Sequence, residues 1–359
     1  MMCNRNRRGV VCAWFTPALT LCVALAVVAA GGGSALAVAP TSTLVEFDFG
    51  TRGKVQVDLF DQLTPQSVAN FVNRYVANNR YDGTMIHRIT NKNAQGQGID
   101  VVQGGGFTKD GTSITNNDPL IPLEYNHLNA KGTLAMARQT GKDTASSQWF
   151  FNTTDNSTAL GPQTGSDGYT VFGWIVGPGL STIAEINALP KFAFNSPFGE
   201  IPLSGYTQAD FNAGVDPVPH VVELLGVNVV RTHAAFQNPY SSFDVNNSGT
   251  TSSNDVLNII NALLDKQGAF DVSGSFGETN NSLYYDVTGN GKVSPADALV
   301  VINELLRLSA APQTLTASPQ AVSITQVPEP SSLAMAGAGV VALGGYAWRR
   351  RRDRRAKAA

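Results

Sequence analysis

Thiols are nearly missing from this chain. Its cysteines are Cys3, Cys12 and Cys22, all in the first stretch. If that stretch is removed, disulfides, thiolate zinc sites and cysteine nucleophiles are excluded together. Charge is sparse as well: Asp, Glu, Lys and Arg make up 14% of the 359 residues, which is low for a cytosolic enzyme and suits a secreted surface. Basic charge is scarcest in the body, where residues 38–327 hold 15 basic against 25 acidic groups, a net of −10. An acidic body argues against nucleic-acid binding. No nucleophile–base–acid set and no paired carboxylates stand at a recognisable spacing, so a hydrolase lacks support. The 35 glycines and 18 prolines follow no collagen-like period. What is present is a 43% hydrophobic content, enough for a substantial core, on a length that suggests two domains or one domain with appendages.

Both ends read as addresses. Arg5, Arg7 and Arg8 precede an apolar run from about Val10 to Ala30, and Ala35-Leu36-Ala37 follows. That order predicts a secretory signal peptide over residues 1–37. Near the other end, Val327-Pro328-Glu329-Pro330 leads into an apolar segment at 333–348 and then the arginines from Arg349 onward. Sixteen residues reach about 24 Å as a helix, slightly short for a permanent span. The basic cluster favours the cytoplasmic side, which places the body outside. The whole stretch, 327–355, resembles the PEP-CTERM sorting signal. The resemblance implies bacterial export, an exosortase-type partner, transient membrane anchoring by the tail, and a final place at the cell surface or outside the cell.

Between the ends, Leu44–Phe49 and Lys54–Leu59 alternate with period two around a turn at Gly50–Gly53, which predicts a β-hairpin. Thr64-Pro65 is a helix-opening pair, with Thr64 as N-cap. Val68, Phe71, Val72, Tyr75 and Val76 then form one buried stripe. Further strands are expected at Met85–Ile89, Val101–Gln103, Thr133–Ala137, Trp149–Phe151, Thr170–Val176 and Val221–Val230, and a second helix near Leu180–Ala188. Many short strands with two helices predict a mainly β fold, a closed antiparallel barrel capped by helices. The alternation lets only one of Phe150 and Phe151 face the barrel interior. Residues 231–240 read as a linker, 241–309 as a second domain, and 310–326, rich in Ala, Thr, Ser, Pro and Gln, as a tether.

The informative stretches of the first domain are Ile86-His87-Arg88-Ile89, Val101-Val102-Gln103-Gly104-Gly105-Gly106-Phe107, Gly132–Arg138, Ser146-Ser147-Gln148-Trp149-Phe150-Phe151-Asn152 and Tyr169–Gly173. In this order they closely resemble the cyclophilin family, its bacterial branch above all, over about residues 44–230. The resemblance implies an eight-stranded barrel and peptidyl-prolyl cis–trans isomerisation on proline-containing polypeptides without any cofactor. Arg88 matches the family's catalytic arginine, Gln103 its glutamine neighbour, and Phe150 the floor of the proline seat. Val101 and Leu160 match its walls, Ala137 and Arg138 the substrate rim, and Gln148 and Tyr169 further groove positions. His87 reads as structural, since isomerisation needs no general base. Glu124, Asp143 and Asp167 read as solvated loop charges. Arg88 and Gln103 stand 15 apart, about twice the family's usual spacing, so Asn91–Gly98 is expected to bulge as a loop. The family's pocket aromatics are absent near Ile99 and at Ala159, which predicts a shallow seat. A second insertion, about Lys191 to Asp216, is expected to be a surface excursion.

The second domain holds two loops of one pattern. Asp244, Asn246, Ser248, Ser252 and Asp255 occupy positions 1, 3, 5, 9 and 12 around Gly249, with Thr250 at position 7. Asp286, Thr288, Asn290, Lys292, Ser294 and Asp297 repeat the set around Gly291. Each loop feeds a helical stripe: Val256, Ile259, Ile260, Leu263 and Leu264, then Ala298, Val301, Ile302, Leu305 and Leu306. Oxygen donors without Cys or His favour Ca²⁺ over transition metals. The pair resembles type I dockerin modules, which implies a small α-helical domain, two Ca²⁺ and a cohesin-like partner. Thr288 is the weakest donor. The reading is an exported prolyl isomerase with a calcium-binding docking module. The alternative is a cell-surface peptide-binding scaffold without turnover.

Overall fold

The computed structural model describes residues 40–115, 117–163, 166–272 and 284–310. The chain divides into Met1–Val38 and Ala39–Ala359, and every described residue belongs to the latter. The expected signal peptide, the tether from 311 and the apolar segment at 333–348 lie outside the described residues. Among those described, no helix is long and apolar enough to cross a membrane.

Eight strands form one antiparallel sheet: β1 (Thr41–Asp48), β2 (Lys54–Leu59), β3 (Arg88–Thr90), β4 (Val101–Gly104), β5 (Thr133–Arg138), β6 (Ala145–Asn152), β7 (Val171–Val176) and β8 (Gly226–Ala234). Their order is β8-β1-β2-β7-β5-β6-β4-β3. The first hairpin is as expected, Phe47 pairing with Val55 and Leu44 with Asp58. The closed barrel is not: the ladder ends at β3 and β8, which do not pair with each other. The residues just before those two strands instead form a separate short ladder, Met85 with Glu223 and Thr84 with Leu224. β8 runs on through Ala234 because Ala234 still pairs with Thr41, and Ala235 and Phe236 are buried, so the first part of the expected linker is packed structure.

The strand period of two sorts side chains onto two faces. Ile89, Val102, Phe151 and Leu134 stand opposite one another along four adjacent strands, and all are fully buried in the main core. The first helix closes one side of that core. It begins as α1 (Pro65–Ala69) and widens into a π-helical stretch, Asn70–Val76, whose end is marked by the Ala77 N–H bonding to the Val72 carbonyl at 2.8 Å. Val68, Phe71, Tyr75 and Val76 are buried along it as the stripe requires, with Val72 partly so. α3 (Gly179–Asn187) buries Ile183 and Ile186 in the same core, after the four-residue α2 (Ser157–Leu160).

The start of α1 is capped differently from the expectation. Thr64 makes no side-chain cap; its hydroxyl donates to the Phe60 carbonyl. Glu124 caps instead, its carboxylate accepting from the Gln66 and Ser67 amides at 3.1 and 2.8 Å and from the Ser67 hydroxyl at 2.8 Å. A carboxylate there satisfies orphan N–H groups and opposes the positive helix end. Glu124 is therefore more than a solvated loop charge, whereas Asp143 is exposed in its turn as expected and accepts from the Leu123 amide at 2.9 Å. Glu124→Ala should lower stability by about 1–2 kcal/mol, the usual worth of a cap. Urea unfolding measures this, and an unchanged midpoint would count against the cap.

The excursion after α3 is largely exposed, as expected, but it has a small core. It packs its own apolar cluster, in which Phe192, Ile201, Leu203, Tyr206 and Met85 are buried and Phe194, Phe198 and Phe211 lie against them. α4 (Gln208–Ala213) carries a full capping box between Thr207 and Asp210. The second domain contributes α5 (Ser253–Asp265) and α6 (Pro295–Ala310), which pack together. Val256, Ile259, Ala298 and Val301 are buried, but the last stripe members, Leu264 and Leu306, are exposed. This domain sits directly on the sheet. Tyr284 stacks on Trp174 of β7 at 6.2 Å, and the Asn247 amide donates to the Ile175 carbonyl at 2.6 Å.

Candidate functional site

The rung next to the core rung carries the site residues. Arg88 of β3 stands opposite Gln103 of β4, Gln103 opposite Phe150 of β6, Phe150 opposite Ala135 of β5, and Ala135 opposite Val171 of β7. Residues that oppose one another across strands share a face. This face is the reverse of the one that buries Phe151, as the alternation requires. Val101, two residues before Gln103, lies on the same face. Val101, Ala135, Phe150, Leu160 and Val171 are buried together in a second apolar cluster, with Ile99, Ala137 and Tyr169 partly buried against it. Leu160 arrives from the end of α2.

Polar groups lie along one side of that apolar floor. The Arg88 Nη1 donates to Gln103 Oε1 at 3.3 Å, and Gln103 Nε2 donates to Gln148 Oε1 at 2.9 Å. The Arg88 side chain remains 41% exposed, so its cation is open to a ligand. Tyr169 meets Phe150 edge-on at 5.7 Å, and the Arg138 guanidinium lies 4.7 Å over the Tyr169 ring while its Nε donates to the Gly168 carbonyl at 2.9 Å. The chain turns sharply after Gln103 because Trp149 fills the space: at Gly105, with φ +72°, a Cβ would sit 2.5 Å from the indole nitrogen. Only glycine tolerates that turn and that contact. The Asn91–Gly98 loop bulges as expected and is tied back by Lys92, whose Nζ donates to the Asp155 carbonyl at 2.7 Å.

One neighbour of Arg88 has no signal in the sequence. Glu200, from the excursion, accepts from Arg88 Nε at 3.2 Å and from Lys191 Nζ at 2.9 Å. No local pattern marks it, since 112 residues separate it from Arg88.

His87 is structural in its surroundings, buried edge-on against Phe107 at 5.0 Å, with Nδ1 unpartnered among the described residues. Burial, and then the Arg88 charge, push its pKa down to about 4 against bonds donated to Gln148 and the Met85 backbone. The folded state therefore binds the proton more weakly than the unfolded chain. Stability is held above the ordinary histidine value and lost as pH falls through it toward about 4, by about 3 kcal/mol at the acid end. His127 is buried and shifted down in the same direction. His87→Gln should flatten the fall in melting temperature between neutral pH and pH 4, and an unaltered slope would show that His87 is not the group responsible.

The two loops of the second domain repeat each other atom by atom. Asp244 accepts from the Ser248 and Gly249 amides, at 2.9 and 2.7 Å, and Asp286 from the Asn290 and Gly291 amides, at 3.1 and 2.7 Å. Asp255 and Asp297, both fully buried, reach back to the Asn246 and Thr288 amides at 3.1 and 2.9 Å. Positions 4 and 6 are left-handed in both: Asn247 and Gly249, Gly289 and Gly291. The Thr288 hydroxyl donates to Asp297 at 2.9 Å. Ser252 and Ser294 hydroxyls donate to Asp255 and Asp297 at 3.0 and 3.1 Å. Burial, and to a lesser degree the second carboxylate, raise Asp244 and Asp286 above the ordinary range, against the amide bonds. Two convergent carboxylates amid neutral oxygen donors suit a hard divalent cation of calcium's size.

Comparison with known proteins matches three parts of the chain. The family model for cyclophilin type peptidyl-prolyl cis-trans isomerase/CLD matches residues 44–207, that for the dockerin type I domain 242–306, and that for the PEP-CTERM protein-sorting motif 326–352. The chain is 34% identical over 165 residues to a peptidyl-prolyl cis-trans isomerase of Acinetobacter baylyi, covering 46% of this chain and 82% of that protein. It is 41% identical over 125 residues to peptidyl-prolyl cis-trans isomerase A of Dickeya dadantii, covering 34% of this chain and 61% of that one. With peptidyl-prolyl cis-trans isomerase B of Escherichia coli the identity is 31% over 140 residues, covering 38% and 80%.

Proposed function

The chain belongs to the cyclophilin-type peptidyl-prolyl cis-trans isomerase family, and from that membership we propose how its own residues carry the reaction. It is an isomerase with a type I dockerin module and a PEP-CTERM sorting signal, so the alternative of a scaffold without turnover is set aside.

The barrier to be lowered is the ~18–20 kcal/mol that amide resonance opposes to rotation about C–N. X-Pro bonds occupy both isomers but exchange over tens to hundreds of seconds. Rotation becomes easier when the prolyl nitrogen turns pyramidal and accepts a hydrogen bond. The proline ring rests on Phe150, between Val101 and Leu160. Arg88 donates to the prolyl nitrogen in the twisted state, and Gln103, braced by Gln148, holds the adjoining guanidinium nitrogen. Ala137, Arg138 and Tyr169 form the rim along which the peptide backbone lies. These contacts favour the twisted amide over either planar form, which is what accelerates the step. The observation that carries the reading is the single rung that sets Arg88, Gln103 and Phe150 side by side on one face. The test is relaxation of an X-Pro tetrapeptide by the full chain and by Arg88→Ala.

The substrates are X-Pro segments of exported proteins, because the PEP-CTERM motif points to export and cell-surface association. In the dockerin module, Asp244, Asn246, Ser248, Ser252, Asp255 and the Thr250 carbonyl would hold one Ca²⁺, and Asp286, Thr288, Asn290, Ser294, Asp297 and the Lys292 carbonyl a second. Bound calcium supplies the charge that offsets each carboxylate pair. A cohesin-like protein is the partner and an exosortase the sorting enzyme. The domain limits at 44–230 and 241–309 follow the same reading, with the junction packed rather than free.

A further inference from the structure

We infer that Glu200 is a positioning residue for the isomerase reaction, holding Arg88 by one edge so that the rest of its guanidinium is aimed along the site face. The inference rests on Arg88 being the reactive cation. An arginine with 41% of its side chain exposed has several rotamers open to it. Here two contacts fix it: Nε to Glu200 at 3.2 Å and Nη1 to Gln103 at 3.3 Å. They leave Nη2 without a partner among the described residues. With Nε and Nη1 both engaged, the guanidinium plane is held in one orientation and Nη2, between them, is left to donate.

Glu200 is itself anchored. Its backbone carbonyl accepts from the Ile89 amide at 2.9 Å, which locks the excursion to the strand that carries Arg88. Its other carboxylate oxygen takes the Lys191 ammonium at 2.9 Å. The next residue, Ile201, is buried in the aromatic cluster of the excursion. The excursion thus delivers one carboxylate to one place with little freedom. A carboxylate beside the cation also weakens its pull on the substrate, but both groups are partly exposed and solvent screens that loss. Misaiming a catalytic group costs far more.

The test is a double-mutant cycle on the full chain, following X-Pro relaxation and thermal melting. Glu200→Ala should lower kcat/KM by about tenfold, mainly through kcat. Glu200→Gln keeps an acceptor for Nε and should lose only about threefold. In an Arg88→Ala background either change should alter the residual rate by less than about twofold, the mark of coupled residues. A wild-type rate in Glu200→Ala would overturn the inference. So would an equal loss with and without Arg88, because Glu200 would then only hold up the excursion. If Glu200→Ala melts below the assay temperature, the glutamine cycle decides in its place: a threefold loss that vanishes without Arg88 supports the inference, and an equal loss in both backgrounds overturns it. A wild-type rate in the Arg88→Ala single variant overturns the reading of Arg88 instead, and is seen before Glu200 is changed.

Discussion

Arg88→Ala is expected to lower kcat/KM by about a hundred- to a thousandfold while the sheet stays folded, since one preorganised donor to the reacting group is typically worth about 3–4 kcal/mol. The fold should hardly notice. Arg88 lies on the sheet's edge strand, its side chain is 41% exposed, and its ion pair with Glu200 is a surface contact worth at most about 1 kcal/mol. Glu200 keeps Lys191 as a partner when Arg88 is gone. Gln103 keeps Gln148. Relaxation of an X-Pro tetrapeptide, with a thermal melt of the same samples, separates the two effects. Rates within a factor of two of the parent would remove Arg88 from the reaction. An equally large fall in melting temperature would make the loss one of folding.

Calcium withdrawal is expected to produce the largest change in stability. A ligand bound only by the folded state adds RT ln(1 + [L]/Kd), about 4 kcal/mol for each site at a thousandfold excess over Kd. In each loop the two buried carboxylates converge with no basic side chain bonded to either among the described residues, and burial and mutual repulsion both work against the charge of Asp244 and Asp286. The loop amides offset part of that cost. Calorimetry of the full chain should show a transition that rises with calcium and falls with chelator. Asp255→Ala and Asp297→Ala should each remove part of the rise, the first more than the second, because Thr288 is the poorer donor. A single melting curve unmoved by calcium or chelator would exclude binding. An equal response to magnesium would argue against loops tuned to the larger ion. Since Tyr284 and Asn247 bond the module to β7, the transition should also reach the neighbouring part of the sheet, which tryptophan fluorescence from Trp174 would register.

Much of the site is legible in the sequence because it is written in short-range periods. Alternation along β6 puts Phe150 and Phe151 on opposite faces, whatever the rest of the chain does, and packing makes the Phe151 face the main core. The repeated loops are legible for the same reason, since each draws its donors from 12 consecutive residues. Leu264 and Leu306 escape the expected burial because a helical stripe gives the direction of burial but not where the partner surface ends. Glu124 reads as a free charge because its helix lies 57–58 residues away and nothing near Glu124 signals a cap.

From its own order of residues the chain determined the chemistry on offer. It has an arginine and a glutamine placed to share a rung with an aromatic floor, two loops rich in oxygen donors, and a PEP-CTERM motif near one end. Folding decided which charges those groups would meet and where the sheet would stop. Glu200 reaches Arg88 and Glu124 reaches α1 only because distant segments are brought side by side, and β3 and β8 remain edges because they do not pair with each other. Side-chain alternation depends on the two dihedrals of each residue and is local. Charge pairing and sheet closure depend on distances through space, which no local period encodes.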